Sequence, residues 1–456
     1  MDQRQLRALW FTGFAVIVIA PSLLWFVAAP PVIGGVTAGG VRQASLWRSL
    51  ATITGLLATS ALVCVVVLPS RCRSLNWVIG IENVIDLHRF LGIVTTALVL
   101  LHLACVVAAD PTNTGLLLNL PQAPGRAQNA TAATVGLVVI VVLAIYRKKF
   151  DLSYEVWRTT HIALAVIILI TSAMHIVLLN QLMTDTSFAL VLTALAVSVV
   201  MVGGYRWIWR NFYDRSTEFL VREVRLENDT VATLVLEPRA VKPDGTITSW
   251  AFNPGQFAWI RLNRSATGEE HPFTIASSAH DDTTEFTIRG SGDFTRQIRR
   301  LRPGQPVWVD GPHGSFTSDL TDTSAGFVLL AGGVGVTPML SMVRTAAHRG
   351  DPRPYRLVIV ASALEDLFFR EELAVLRRYI DLEVTEVLRR PRPDWTGPIG
   401  GINTQLMELV VGDLPEPQDL DYFICGPPGM VVDAMQVLEE MAVPAGRVHT
   451  EQFDFV

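Results

Sequence analysis

Six apolar runs dominate the first half of this chain, near residues 8–29, 47–68, 87–109, 131–146, 158–179 and 187–209. A helix needs about 20 residues to cross the roughly 30 Å hydrocarbon layer of a bilayer, so the runs predict six membrane spans. The fourth is short as an uninterrupted run, and its flanking Ala-Thr residues extend it. Charge follows the same division: residues 1–210 carry 14 Lys/Arg and 7 Asp/Glu, whereas 211–456 carry 23 and 35. The first half is charge-poor and the second has the charge density of an ordinary water-exposed protein. Such a chain is neither a purely soluble enzyme nor a disordered polymer, and its 456 residues predict about three domains.

Basic residues gather at Arg4 and Arg7, at Arg71 and Arg73, at Arg147, Lys148 and Lys149, and at Arg206 and Arg210. The alternate loops hold little beyond Arg42 and Arg126. The positive-inside rule therefore puts the N-terminus, the 70–86 and 146–157 loops and everything after 210 in the cytoplasm. The first run has a second reading as a cleaved signal peptide, because Arg4 and Arg7 precede an apolar stretch ending Ala28-Ala29-Pro30; its length favours a span. Cys64, Cys72, Cys105 and Cys425 form neither a disulfide framework nor a zinc pattern. No basic patch with interleaved aromatics supports binding to nucleic acid.

Four of the nine histidines, His88, His102, His161 and His175, fall in the third and fifth runs at identical spacings of fourteen. Ionisable side chains at that depth are functional by default. Fourteen helical residues advance about 21 Å and return to within about 40° of the starting face, so each pair points one way from two depths. With both spans running in the same direction, His88 comes level with His161 and His102 with His175. Each level can clamp one iron porphyrin between two neutral imidazoles. A proton relay would call for Asp or Glu between the histidines, and none is there. The absence of a C-x-x-C-H attachment site makes two b-type haems the expectation.

From about residue 215 the chain changes to short β-type runs, among them 233–236, 257–260, 286–288 and 307–309, separated by Pro254-Gly255 and Pro303-Gly304. This predicts a small antiparallel barrel. From about 326 buried strands alternate with helices, which predicts a parallel sheet. The first of these strands runs into Gly332, Gly333, Val334 and Gly335, whose glycines let a dinucleotide approach the backbone. Thr337 is placed to cap the next helix, Pro338 suits its first turn, and Gly350 closes it. Pro338 stands where the usual third glycine of G-x-G-x-x-G would be. Cys425, Gly426 and Pro427 end another strand at the same edge, where open α/β sheets bind ligands.

With those residues in view, the chain from about residue 45 onward resembles the ferric reductase and NADPH oxidase superfamily. His88-Arg89-Phe90-Leu91-Gly92 and the segment from Tyr154 to His161 are similar to its two haem-ligand segments. His271, Pro272, Phe273, Thr274 and Ser277 lie in a stretch that resembles its flavin-binding strand. Arg289 to Thr295, including Gly292, resembles the segment that holds the FAD pyrophosphate. Glu451-Gln452-Phe453 resembles the ending whose ring covers the flavin, with Phe453 or Phe455 as that ring.

The resemblance implies a multidomain fold: a six-helix α transmembrane bundle over 1–210, an antiparallel β-barrel FAD-binding domain over 215–318, and an α/β parallel-sheet, Rossmann-like NAD(P)-binding domain over 319–456. It implies a multi-pass plasma-membrane enzyme passing electrons from cytoplasmic NAD(P)H through FAD and two haems to an extracytoplasmic acceptor. That acceptor is dioxygen, giving superoxide, or a ferric chelate. Cys425, Phe453 and Arg48 are the expected catalytic residues. Arg48 can pair with a propionate of the outer haem or attract the acceptor, and it can equally snorkel to the interface. NADPH-binding relatives often carry an Arg after the second strand of the nucleotide domain; here the run is Ala361-Ser-Ala-Leu-Glu-Asp366, and Arg389 or Arg390 can replace it. NADH and NADPH both stay open. The alternative to an enzyme is a redox-sensing or partner-docking module without turnover of its own. No calcium-binding loop pattern occurs, so any regulatory partner is unknown.

Overall fold

The computed structural model describes residues 3–28, 39–70, 75, 79–179, 186–213, 217–239, 250–264, 269–321, 323–414 and 416–451. They form two units, Met1–Trp209 and Arg210–Val456. In the first, six helices are long and apolar enough to cross a membrane. They are α1 (Gln3–Ala28), α2 (Gly39–Val67), α3 (Ile81–Ala109), α4 (Gly125–Ile145), α5 (Tyr154–Leu179) and α6 (Thr186–Gly204), the last continued by a π-helical stretch, Tyr205–Tyr213. The fourth span does extend through its Ala-Thr flank, to Gly125.

Several threonine hydroxyls within these helices are satisfied by their own helix, as a hydrocarbon environment favours, whereas the hydroxyls of Ser22 and Ser60 are buried without a hydrogen-bond partner among the described residues. The hydroxyls of Thr54, Thr59, Thr95, Thr96, Thr134 and Thr160 each donate to the carbonyl four residues earlier, at 2.7–2.9 Å. Large apolar side chains such as Val200, Leu190 and Ile170 are left exposed, a surface that only lipid or another apolar body covers favourably.

The second unit contains two sheets. The first has strands β1 (Glu218–Leu226), β2 (Val231–Pro238), β3 (Phe257–Arg261), β4 (His271–Thr274), β5 (Thr284–Arg289) and β6 (Pro306–His313), in the order β4-β3-β6-β1-β2-β5. Its core holds Phe219, Leu234, Ile260, Ile275 and Phe286. The expected barrel is therefore an open antiparallel sheet. β4 is only four residues long and contains Pro272, which cannot donate to a ladder. Beyond it, one backbone bond, Ala276 N–H to Glu285 C=O at 2.7 Å, reaches the β5 edge.

A short helix, α7 (Asp293–Ile298), follows β5. The second sheet is parallel, with β7 (Phe327–Gly332), β8 (Tyr355–Ala361), β9 (Leu382–Leu388), β10 (Asp421–Cys425) and β11 (Val448–Glu451) ordered β11-β10-β7-β8-β9. β7, β8 and β10 are buried along their whole length, because helices cover both faces. Those helices are α8 (Val336–Arg349), α9 (Arg370–Leu376), α10 (Thr404–Val411) and α11 (Pro428–Glu440). The chain leaves β7 toward β8 on one side and returns to β10 on the other, so a topological switch point lies between β7 and β10. Gly350 ends α8 in the left-handed conformation expected of it, φ 61°.

Candidate functional site

In the membrane unit the four histidines meet as two pairs. The ring centroids of His88 and His161 are 6.1 Å apart and those of His102 and His175 are 6.5 Å apart, with interplanar angles of 55° and 76°. Two metal–imidazole bonds of about 2 Å, plus the near half of each ring, put facing centroids about 6 Å apart. Both pairs thus have the span of one iron held from two sides.

The second shell fits as well. Nδ1 of His88 lies 2.9 Å from the Val65 carbonyl, Nδ1 of His102 lies 2.7 Å from Ala51 and Nδ1 of His175 lies 2.8 Å from Arg126. An imidazole that donates Nδ1–H to a carbonyl keeps the lone pair of Nε2 for a metal. Among the described residues Nδ1 of His161 has no hydrogen-bond partner. Among the described residues no group of three or more His, Cys, Asp or Glu side chains could hold a metal, so these pairs are the candidates.

Two neighbours of the pairs have contacts that the sequence does not show, Trp157 lying within the 154–161 segment of the resemblance but with no role read for it. Gly55 faces His102, and Trp157 lies 5.3 Å from His161, ring to ring. Gly55 carries no sequence signal, since a glycine in an apolar run gains meaning only from what the next helix brings to it. Arg48 sits one turn before Ala51 on α2, and its charge helps hold the Asp110 carboxyl below its usual range, after the stronger effect of hydrogen bonds from Thr112.

In the second unit a cleft opens at the switch point, lined by Arg289, Gly332 to Gly335, Ser362, Asp366, Arg389, Gly426 and Pro427. The glycines are sterically required. A Cβ on Gly335 would lie 2.3 Å from the Cys425 carbonyl oxygen, and one on Gly332 would lie 2.7 Å from Pro427 Cδ. The N-cap of α8 is Gly335, without a side-chain cap. Thr337 does not cap the helix as expected; its hydroxyl donates instead to the Val334 carbonyl at 3.0 Å. Pro338 is buried in the first turn, where its missing N–H costs nothing. Cys425 is fully buried in the core beneath the cleft, and Gly426 and Pro427 supply the lining there.

Arg289, read as a flavin-phosphate residue, reaches the nucleotide loop. Its Nη2 is 3.5 Å from where a Gly333 Cβ would stand, and 3.8 Å from Asp366. In the antiparallel sheet, Nε2 of His271 lies 2.8 Å from Glu269 Oε1, and its ring is 4.5 Å from Phe294, on which Phe273 also stacks. Pro272 pairs with Trp259 in the sheet. The Thr274 hydroxyl is buried without a hydrogen-bond partner among the described residues, which is costly for a polar group. Ser277 accepts from Glu285 N–H, and its carbonyl accepts from the Ser341 hydroxyl of α8. Thr295 accepts from the N–H groups of Ser291 and Gly292, folding the loop before α7. Phe453 lies outside the described residues.

Three family models match in this order along the chain: a ferric reductase like transmembrane component over residues 54–172, an FAD-binding domain over 219–316 and an oxidoreductase NAD-binding domain over 329–436. The chain belongs to the ferric reductase and NADPH oxidase superfamily. Like others of that superfamily it is an integral membrane oxidoreductase with FAD- and NAD(P)-binding domains.

Its curated relatives include ferredoxin–NADP reductase B of Sorangium cellulosum (strain So ce56), 32% identical over 217 residues, which is 45% of this chain and 87% of that protein. The ferredoxin–NAD(P)(+) reductase component of the naphthalene 1,2-dioxygenase/salicylate 5-hydroxylase systems of a Ralstonia sp is 30% identical, and the match spans 44% of this chain and 60% of that one. Among solved structures, the FAD/NAD-binding domain of nitric oxide dioxygenase from Vibrio cholerae O1 biovar El Tor matches with 23% identity and a TM-score of 0.45, over 52% of this chain and 98% of that one. A ferredoxin NADP+ reductase from Neisseria gonorrhoeae matches with 20% identity, a TM-score of 0.45 and the same coverage.

Proposed function

We propose that this superfamily member oxidises NAD(P)H in the cytoplasm and reduces an acceptor on the opposite side of the membrane, with FAD and two b-type haems as its resident groups. The observation that carries the reading is the pair of imidazole clamps, each about 6 Å across and stacked some 21 Å apart along α3 and α5. When bound, FAD takes electrons as a hydride pair and releases them singly, and each haem iron carries one.

The chain's own work is placement. His88 and His161 would hold the inner haem, and His102 and His175 the outer one. The carbonyls of Val65, Ala51 and Arg126 fix three of those rings in the metal-binding tautomer. Held by an imidazole from each side, an outer haem would have no free coordination position and would supply single electrons, so the acceptor we propose is a one-electron oxidant that need not coordinate: dioxygen or a ferric chelate. In the cytoplasmic unit Gly332 to Gly335 bring backbone to the dinucleotide, and Arg289 and Arg389 supply cations for its phosphates. The Thr274 hydroxyl and the His271–Phe273 strand receive the flavin.

An anaerobic absorption spectrum of the detergent-purified chain, before and after NADPH or NADH, tests this. Reduced b-type bands that appear with nucleotide and diminish in His102→Leu support it; admitting oxygen or ferric citrate then identifies the acceptor. Flavin without haem bands would sink it, and haem reduction without steady nucleotide consumption would leave a sensing or docking module.

A further inference from the structure

The two helix pairs that carry the imidazoles repeat one another's register. On α2 and α3, His88 reaches Val65 and His102 reaches Ala51; on α4 and α5, His175 reaches Arg126. Ligands and acceptors step by fourteen residues in opposite directions, because the helices of each pair are antiparallel. The repeat therefore assigns Ile140 as the acceptor for His161. That bond is not made, and Nδ1 of His161 is buried without a hydrogen-bond partner among the described residues.

Something else holds the ring. Trp157, one turn earlier on α5, packs its indole 5.3 Å from the imidazole at 41°. The guanidinium of Arg147 lies 5.3 Å from the indole on its own account, fixing it in turn. The residues one turn before the other three histidines are Val84, Leu98 and Thr171, none of them a ring, and the Thr171 hydroxyl is turned to the Ile167 carbonyl at 2.7 Å. An imidazole bonded through Nδ1 is locked in tautomer and rotation, and becomes a better donor to its metal. Three of the four have that lock.

We infer that Trp157 is the positioning residue for His161, replacing by ring contact the carbonyl anchor the other ligands have, so that the His161 side of the inner level is the axial position that opens when this ring is trimmed. The inference rests on the two-haem reading above. It sets the two levels apart: the outer clamp is locked on both sides, the inner on one.

Carbon monoxide titration of the dithionite-reduced, full-length protein with its haems, alongside electron paramagnetic resonance of the ferric form, tests the assignment. The expected result is no carbon monoxide shift in the wild type or in Trp157→Phe, which keeps a ring. In Trp157→Leu, one haem in two becomes reactive and one of two ferric low-spin signals changes. Thr171→Ala, the outer-level equivalent, leaves both signals as they were. If Trp157→Leu instead sheds haem, loss of the inner one with the outer signal intact supports the assignment. Two bound haems with no carbon monoxide reactivity and an unchanged spectrum in Trp157→Leu overturn it, as does equal disturbance of both levels. A wild-type chain without any haem band overturns the two-haem reading itself.

Discussion

Gly55 on α2 stands directly against His102 on α3: a Cβ added at Gly55 would lie 3.0 Å from Nδ1 of the imidazole and 3.1 Å from Cε1. The same Nδ1 makes its 2.7 Å bond to Ala51, one turn away, so the ring cannot retreat without breaking its anchor. Gly55→Val should therefore displace His102. Overpacking of this kind costs about 1–3 kcal/mol, which tilts the balance against the ligand geometry before it unfolds the bundle. The expected outcome is haem content falling toward one per chain, measured as pyridine haemochrome against protein, with His88 and His161 keeping theirs.

How much of this was readable in advance depends on the range of the signal. The histidine spacing was legible because helical periodicity alone brings residues fourteen apart to one face. The glycine loop after β7 and Gly426-Pro427 after β10 were legible because each is a local strand-to-helix turn. Gly55 and Trp157 were not, since their roles exist only across a helix pair or in the absence of a carbonyl that three sister sites possess. The barrel expectation failed for a similar reason: strand alternation gives faces, but closure depends on whether β4 and β5 pair, and a short strand with Pro272 does not support it. The capping role read for Thr337 failed because a threonine hydroxyl near a helix start can donate backward as readily as it accepts.

Arg344 is the rivet between the two sheets of the second unit. It spans Glu285 on β5 at 2.9 Å, Glu372 on α9 at 2.6 Å and the Ala276 carbonyl at 2.8 Å. Burial opposes its charge, yet the two carboxylates outweigh burial and hold its pKa above the ordinary arginine value. Arg344→Met leaves Glu285 with only the half-exposed Arg225, 2.7 Å away, and takes the guanidinium fork from Glu372, at a cost of about 1–2 kcal/mol after allowing for solvent at both remaining pairs. Flavin release in a urea titration should shift to lower denaturant, and Arg344→Lys, which keeps the charge but loses the fork, should fall between.

Asp421, at the start of β10, is 2% exposed and accepts from His449 and Arg447, each at 2.8 Å. Burial alone would raise its pKa; the bonds from His449, Arg447 and Ser324 reverse that and bring it below the usual carboxylate value. A carboxyl with a lowered folded pKa contributes stability that is complete above its unfolded pKa, about 3.9, and drains as pH falls toward the folded value. Denaturation midpoints of the nucleotide-binding part should hold near neutrality and drop below about pH 4. Asp421→Asn should lower the neutral plateau and flatten that acid limb.

The choice of nucleotide turns on Arg389. Its backbone N–H donates to the Ala361 carbonyl at 3.0 Å, tying the end of β9 to the end of β8, and its side chain lines the cleft beside Ser362; Arg390 is not in the lining. An acid at the end of the second strand reads the ribose 2′-hydroxyl of NADH, whereas a cation accommodates the 2′-phosphate of NADPH. Here the β8 end supplies Ser362, and Asp366 lies toward Arg289. The expected preference is for NADPH. Arg389→Ala should lower kcat/KM for NADPH about tenfold, the worth of one charge-assisted hydrogen bond, and leave NADH nearly unchanged. Steady-state rates with both nucleotides decide it: equal losses would place Arg389 on the pyrophosphate the two share, and no loss with either would remove it from the site.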